Sequence, residues 1–259
     1  MSTIAILGLG EAGRVYARGL RSAGADVRSH DPFHRVDDPG LGQVETLKDA
    51  VRGADVVLSL VGGTAALTAA VDALPFASEG AVYADLNTVS PEVEVEIAEV
   101  ADRHGVPMAD VAVLAPVPRA GIRTELLASG TGAPAFAKRV GPFGVPVTVV
   151  EGGPGEAARL RLLRSIFMKG LAALVLEGVG AASALGAEDW LRDQIAGELG
   201  PDGHAVVDRL VDGTYRHSAR REHEMRDALA SLEQLGRPAD MTKATLAWLE
   251  RINSERRTP

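Results

Sequence analysis

Cysteine is absent from all 259 residues, so a disulfide framework, a thiolate metal centre and a thiol nucleophile are excluded. An excess of basic charge is lacking too. The formal net charge is −8, which argues against nucleic acid or an anionic membrane surface as a partner. Long apolar runs are missing, since a stretch such as Leu171 to Leu176 is too short and too interrupted to span a bilayer. The histidines are scattered. His217 and His223 stand six residues apart and so do not share a helical face, and no metal site is expected. An apolar strand begins almost at the first residue, which fits a cytoplasmic enzyme. A hydrophobic fraction of 46% supplies the core of one large domain or two modest ones.

What is present begins with glycine. Gly8, Gly10 and Gly13 follow the apolar run Ile4-Ala5-Ile6-Leu7 and precede a helix-like stretch from Glu11 to Ala23. The spacing G-x-G-x-x-G turns the backbone tightly out of a strand and lets a pyrophosphate approach without meeting a Cβ, over a positive helix N-terminus. Gly24 then supplies a left-handed stop, and Asp26 to His30 reads as a second strand ending in Asp31, an acid placed to hydrogen-bond an adenosine ribose. Strand, glycines, helix, strand and acid in register point to a dinucleotide. The expected contacts are Gly8, Leu9, Gly10, Glu11, Ala12, Gly13 and Asp31. Asp31 favours a free 2′-hydroxyl and hence NAD, although Arg28, His34 and Arg35 nearby keep NADP open.

The strand-then-helix rhythm continues through the first half, implying a doubly wound parallel sheet of Rossmann type. Ala54 to Val61 reads as a buried strand followed by the loop Gly62-Gly63-Thr64, and Ala81 to Asp85 as another, running into Leu86-Asn87-Thr88-Val89-Ser90-Pro91. A helix from Pro91 to His104 begins with proline and acids in its first turn. Gly105 to Val113 reads as a sixth strand. Ligands of such sheets sit at the carboxyl ends of the strands, so Val61, Gly62, Asn87 and Thr88 are expected to converge on the cofactor with the glycine loop. A punctuated boundary around Gly152-Gly153-Pro154 divides a sheet domain, 1–153, from a smaller all-α domain, 154–259. The second domain opens with a helix from Glu156 to about Leu185, apolar at Leu160, Leu163, Phe167, Leu171, Leu174 and Val175, followed by shorter amphipathic helices. So much apolar surface suggests burial in a second subunit, hence a homodimer.

Over nearly its whole length the chain resembles the β-hydroxyacid dehydrogenase and 6-phosphogluconate dehydrogenase superfamily, in a subgroup with a distinctive C-terminal helical domain. The resemblance is carried by Gly8-Leu9-Gly10-Glu11-Ala12-Gly13, Asp85 to Pro91, Asp110 to Val113, the helix opened by Gly155 and running through Arg161 to Gly170, and His223-Glu224-Met225. It implies a Rossmann domain, an NAD or NADP cofactor and hydride transfer in a cleft between the domains.

The resemblance also implies where catalysis should lie. Relatives place a lysine and, four residues later, an asparagine on the central helix; here those positions hold Arg161 and Ser165. Arginine stays charged at working pH and polarises an oxygen or binds a carboxylate, but does not readily shuttle a proton. One turn further, Lys169 continues the same stripe and could deliver a proton if desolvated. His223 stands where relatives carry a lysine that reaches the nicotinamide side, and its intrinsic pKa suits a proton donor. The relatives' Ser-Gly-Gly substrate loop is replaced by Leu114-Ala115-Pro116, with Arg119 just beyond, which argues against the usual small 3-hydroxy acids. The expected activity is an NAD(P)-dependent oxidoreductase acting on a carbinol or carbonyl carbon of a small polar substrate. An imine reductase and a redox-silent dinucleotide-binding protein are the alternatives.

Overall fold

A computed structural model describes residues 2–256. They form two compact units, divided between Arg161 and Leu162.

The first unit is built on a seven-stranded sheet in the order β2-β1-β3-β4-β5-β6-β7, comprising β1 (Thr3–Leu7), β2 (Asp26–His30), β3 (Val56–Ser59), β4 (Val82–Asp85), β5 (Met108–Val113), β6 (Leu126–Ser129) and β7 (Val147–Val149). The first five strands run parallel, β6 is antiparallel to β5, and β7 is parallel to β6. The sheet is therefore mostly parallel rather than wholly so. Met108–Val113 is its fifth strand in chain order, not a sixth. Four residues flanked by glycines and threonines carry little periodic signal, so the short β6 is not legible in the sequence.

Side chains alternate along each strand and supply two cores. Ile4, Ile6, Val56, Leu58, Val82 and Ala84 pack on one face with Tyr16, Ala17 and Leu20 of α1 (Glu11–Ser22). Ala5, Leu7, Val57 and Tyr83 pack on the other with Ala66, Ala70 and Ala73 of α3 (Ala66–Ala73), which follows the short α2 (Leu47–Val51). The second face also receives Ile97, Ala98 and Ala101 of α4 (Pro91–Arg103). Burial on both faces explains why these strands read as unbroken apolar runs. The chain leaves β1 towards β2 and later returns on the other side of β1 as β3, so the switch point lies at the carboxyl ends of β1 and β3. Two further helices, α5 (Val117–Ala120) and α6 (Ala133–Val140), complete the unit together with the first turns of α7 (Glu156–Ala184).

The second unit is all-helical: the rest of α7, then α8 (Glu188–Glu198), α9 (Gly203–Gln234) and α10 (Asp240–Glu255). Its core joins Ala172, Val175, Leu176 and Val179 of α7 to Val207, Leu210 and Val211 of α9 and to Ile252 of α10. The helices after α7 are not all shorter, as α9 spans 32 residues against 29. A break at His217 (φ −119°, ψ 23°) makes it two helices joined by a kink. By length and composition α7 could cross a membrane. Within it, Ala172, Val175, Leu176 and Val179 are buried in the core just described. The expected apolar stripe of α7 also divides: Val175 is buried, while Phe167 and Leu174 are 67% and 60% exposed.

Candidate active site

Sterics at the glycines shape the loop after β1. Gly8 has φ +91° and lies so close to the end of β3 that a Cβ would sit 2.5 Å from the Leu60 carbonyl oxygen and 3.0 Å from Val61 Cα. A Cβ on Gly13 would sit 2.0 Å from the Gly8 carbonyl oxygen. Gly10 differs: among the described residues, no atom of another part of the chain lies within 4 Å of where its Cβ would be. That open space adjoins the first turn of α1, where Gly10 is the N-cap and no side chain caps the helix. The first amides of a helix lack intrahelical acceptors, and the helix dipole is positive there. With Glu11 and Ala12 in that turn, the loop fits a pyrophosphate, as the sequence implies.

Asp31 fastens this loop. Its carboxylate accepts hydrogen bonds from the backbone N–H of Leu9 (2.7 Å), Phe33 (2.8 Å) and His34 (3.0 Å), and His34 Nδ1 lies 3.1 Å away. Burial opposes ionisation of Asp31, but these donors outweigh it and hold the carboxyl below the usual range. The residue singled out as a ribose ligand thus also sets the path of the glycine turn.

Asn87 acts similarly at β3 and β4. Its Oδ1 accepts from the Gly62 N–H at 2.7 Å, while its Nδ2 donates to Ser59 Oγ and Asp85 Oδ2, each at 2.8 Å. Gly62 needs its glycine conformation (φ +96°) for this approach, and a Cβ on the adjoining Gly63 would press on the Thr88 carbonyl at 2.5 Å. The side chain of Asn87 is therefore a clip between the loops carrying Val61, Gly62 and Thr88.

Beneath the clip runs a buried polar row across four strands, in register as Ser59, Asp85, Asp110 and Ser129. Neither Asp85 nor Asp110 has a role that its local sequence motif reveals. Burial pushes Asp85 up to about 6, opposed by its hydrogen bonds from Asn87 and Ser59. Glu94, in the first turn of α4, is raised well above the usual range by burial and by the Asp85 and Asp110 charges. An acid whose folded pKa lies above its unfolded value keeps its proton on folding, so its contribution to stability falls as pH rises through the window between the two. For Asp85 that window runs from about 4 to about 6, worth up to about 3 kcal/mol. Asp85→Asn is accordingly expected to lose least, relative to wild type, above pH 6, as urea unfolding at a series of pH values will show.

Asp110 begins α7. Its Oδ2 accepts from the N–H groups of Gly155 (3.0 Å) and Ala158 (3.1 Å) and from Ser129 Oγ (3.0 Å), while Ser129 Oγ accepts from the Ala157 N–H. The carboxylate satisfies amides that the helix cannot satisfy itself. Asp110→Ala orphans them in a buried place, and we expect a loss of about 3 kcal/mol in urea unfolding, with Asp110→Asn retaining part of the cap.

Arg161, the last residue of the sheet unit, donates from Nη2 to the Val89 carbonyl at 2.7 Å, tying α7 to the loop after β4. Two turns on, in the helical unit, Lys169 Nζ donates to Ser165 Oγ at 2.9 Å and forms an ion pair with Glu224 of α9. Ser165 is buried and the Lys169 side chain is only 15% exposed. The stripe inferred from helical spacing therefore exists, with its members differently employed. His223 is not brought to it: its side chain is 70% exposed and lies 3.8 Å from Asp227. The group that meets Lys169 is the neighbouring Glu224, and no local pattern separates it from His223.

Comparison with known proteins agrees with this geometry. Residues 3–141 match the NAD binding domain of 6-phosphogluconate dehydrogenase, and residues 182–252 match a domain of unknown function, DUF1932. An uncharacterized 28.5 kDa protein from Methanothermus fervidus is 32% identical over 186 residues, covering 72% of this chain and 71% of its own. A conserved hypothetical protein from Sinorhizobium meliloti 1021 is 32% identical, covers 96% of this chain and 88% of its own, and superposes with a TM-score of 0.74. The Mycobacterium tuberculosis 3-hydroxyisobutyrate dehydrogenase, solved with L-serine, shares the fold at 21% identity (TM-score 0.80, 98% and 94% coverage). An imine reductase from Pseudomonas sp. shares it at 19% (TM-score 0.64, 98% and 94%). The chain belongs to the family built on the NAD-binding domain of 6-phosphogluconate dehydrogenase, and it is an NAD(P)-dependent dehydrogenase or reductase.

Proposed function

We propose that the enzyme reduces, or forms by oxidation in reverse, a carbonyl group of a small polar substrate, with Lys169 and Ser165 as the proton-delivering pair. The observation that carries this reading is the Lys169 Nζ to Ser165 Oγ hydrogen bond of 2.9 Å in a largely desolvated setting. Because Ser165 Oγ accepts from the ammonium, its own O–H is left to donate to a substrate oxygen. The bound dinucleotide supplies or takes the hydride. The chain's residues bind it at the glycine loop, exclude water and manage the proton.

NAD is proposed over NADP. Asp31 is held ionised at the end of β2, while Arg35 is paired with Glu45 at 3.0 Å and Arg28 donates to the Arg52 carbonyl at 2.9 Å. An anion with its neighbouring cations engaged disfavours a 2′-phosphate. A homodimer is proposed from Leu163, Phe167 and Leu174, which leave one side of α7 apolar and exposed. Light scattering should give twice the chain mass, and Phe167→Glu should halve it.

Imine reduction is the second reading. It is favoured by Arg161, which stands where relatives have a lysine and spends its guanidinium on the Val89 carbonyl. An iminium arrives already protonated and needs less acid assistance than a ketone. The discriminating experiment is a panel of small polar aldehydes and ketones beside a cyclic imine such as pyrroline, with NADH and NADPH. Carbonyl turnover that collapses in Lys169→Met supports the first reading, and imine turnover indifferent to that change supports the second.

A further inference from the structure

Helices α7, α9 and α10 close around a small cavity lined by Lys169, Thr214, Arg221, Thr245 and Trp248, among others. Its charged members come from two helices. Lys169 of α7 is paired with Glu224 of α9, whose other carboxylate oxygen lies 3.6 Å from Arg220 Nε. Arg221 reaches back across the break at His217 to the hydroxyl of Thr214, which itself donates to the Leu210 carbonyl. Burial lowers the Arg221 pKa, and the Glu224 charge opposes that fall. From α10 the cavity receives only uncharged groups, Thr245, Trp248, Leu249 and Ile252. Glu224 is thus in direct contact with Lys169, and Arg221 lines the same cavity.

Geometry gives Glu224 a definite task. A buried amine beside Arg221 would shed its proton more easily than one in water, through desolvation and like charge. A carboxylate in contact reverses both effects. The kink at His217 redirects the second half of α9, the half that carries Glu224. We infer that Glu224 is the positioning residue of the proton-delivering pair, keeping Lys169 an ammonium and aiming it at the Ser165 hydroxyl. This rests on Lys169 as proton source in the function proposed above.

The step balances. As the carbonyl carbon accepts hydride from the reduced nicotinamide, Ser165 gives its hydroxyl proton to the carbonyl oxygen, and Ser165 Oγ takes a proton from Lys169 Nζ. The carbonyl is reduced to a carbinol and the dinucleotide is oxidised. The amine left beside Glu224 regains its proton from water.

The chain contains four lysines, Lys48, Lys138, Lys169 and Lys243, so carbon-13 labelling at lysine Cε yields a spectrum in which Lys169→Arg assigns the signal of interest. In Glu224→Gln the titration midpoint of Lys169 is expected to fall by about one pH unit or more. The basic limb of kcat/KM, measured with the fastest-reduced carbonyl of the panel, should fall with it. An unmoved midpoint overturns the inference. A midpoint that falls while the limb stays shows a structural ion pair and refutes Lys169 as the proton source, a failure of the underlying reading rather than of the contact. Should Glu224→Gln not fold, Glu224→Asp withdraws the carboxylate by one methylene while keeping its charge. A smaller drop of midpoint and limb together then supports the assignment, and no drop overturns it.

Discussion

Gly10→Val is expected to fold with nearly wild-type stability and to bind NADH at least about 100-fold more weakly, a loss of about 2.7 kcal/mol of binding free energy. The backbone at Gly10 is extended, with φ −66° and ψ −166°, a conformation open to any residue. No other part of the described chain lies within 4 Å of the added Cβ. The cost to folding is thus at most that of a poorer N-cap, about 1 kcal/mol. What the branched side chain fills is the open space at the helix N-terminus, the place proposed for the pyrophosphate. Gly13→Ala provides the contrast. Its Cβ would stand 2.0 Å from the Gly8 carbonyl oxygen, so that variant should lose stability as well as binding. Thermal unfolding without nucleotide, set beside calorimetric titration, separates the two. If Gly10→Val bound NADH as wild type does, the open space at Gly10 would not be the pyrophosphate site.

Lys169→Met is expected to lower kcat for carbonyl reduction by about 1000-fold, within the range for loss of a general acid. Dinucleotide affinity should stay within about twofold, because the groups assigned to the pyrophosphate lie in the other unit. Methionine preserves much of the apolar stem that packs beside α9. The loss should therefore appear in turnover more than in folding, although Glu224 loses its ion pair with Lys169 and stability falls as well. Lys169→Arg retains the charge but cannot release the proton, and should be nearly as slow. Rates within tenfold of wild type in both variants would exclude Lys169 from the chemistry.

How far the sequence disclosed this depends on the range of each interaction. The glycine loop was legible because its motif is local, a strand, a turn and a helix within about a dozen residues, although only Gly13 meets its steric neighbour inside that span and Gly8 meets Leu60 across the sheet. The stripe Arg161, Ser165 and Lys169 was legible because helical periodicity alone places it. The Asp110 cap was not, since carboxylate and amides are separated by 45 to 48 residues and meet only through the sheet. The same holds for the register of Ser59, Asp85, Asp110 and Ser129, which depends on how strands align and not on any one of them. At the end of β2, Asp31 was recognised by position, and its donors on Phe33 and His34 are local, but the Leu9 N–H reaches it from a loop 22 residues away. His223 and Glu224 are adjacent on one helix, and only the packing of α9 against α7 decides which faces Lys169.

The most direct test of the account is calorimetric titration of the purified chain with NADH and with NADPH under identical salt and pH. Binding at a single site per chain is expected, tighter for NADH, and weakened at least about 100-fold in Gly10→Val. Absence of binding by either nucleotide to the folded wild-type chain would contradict it, because both the loop geometry and the proposed proton delivery presuppose a bound dinucleotide.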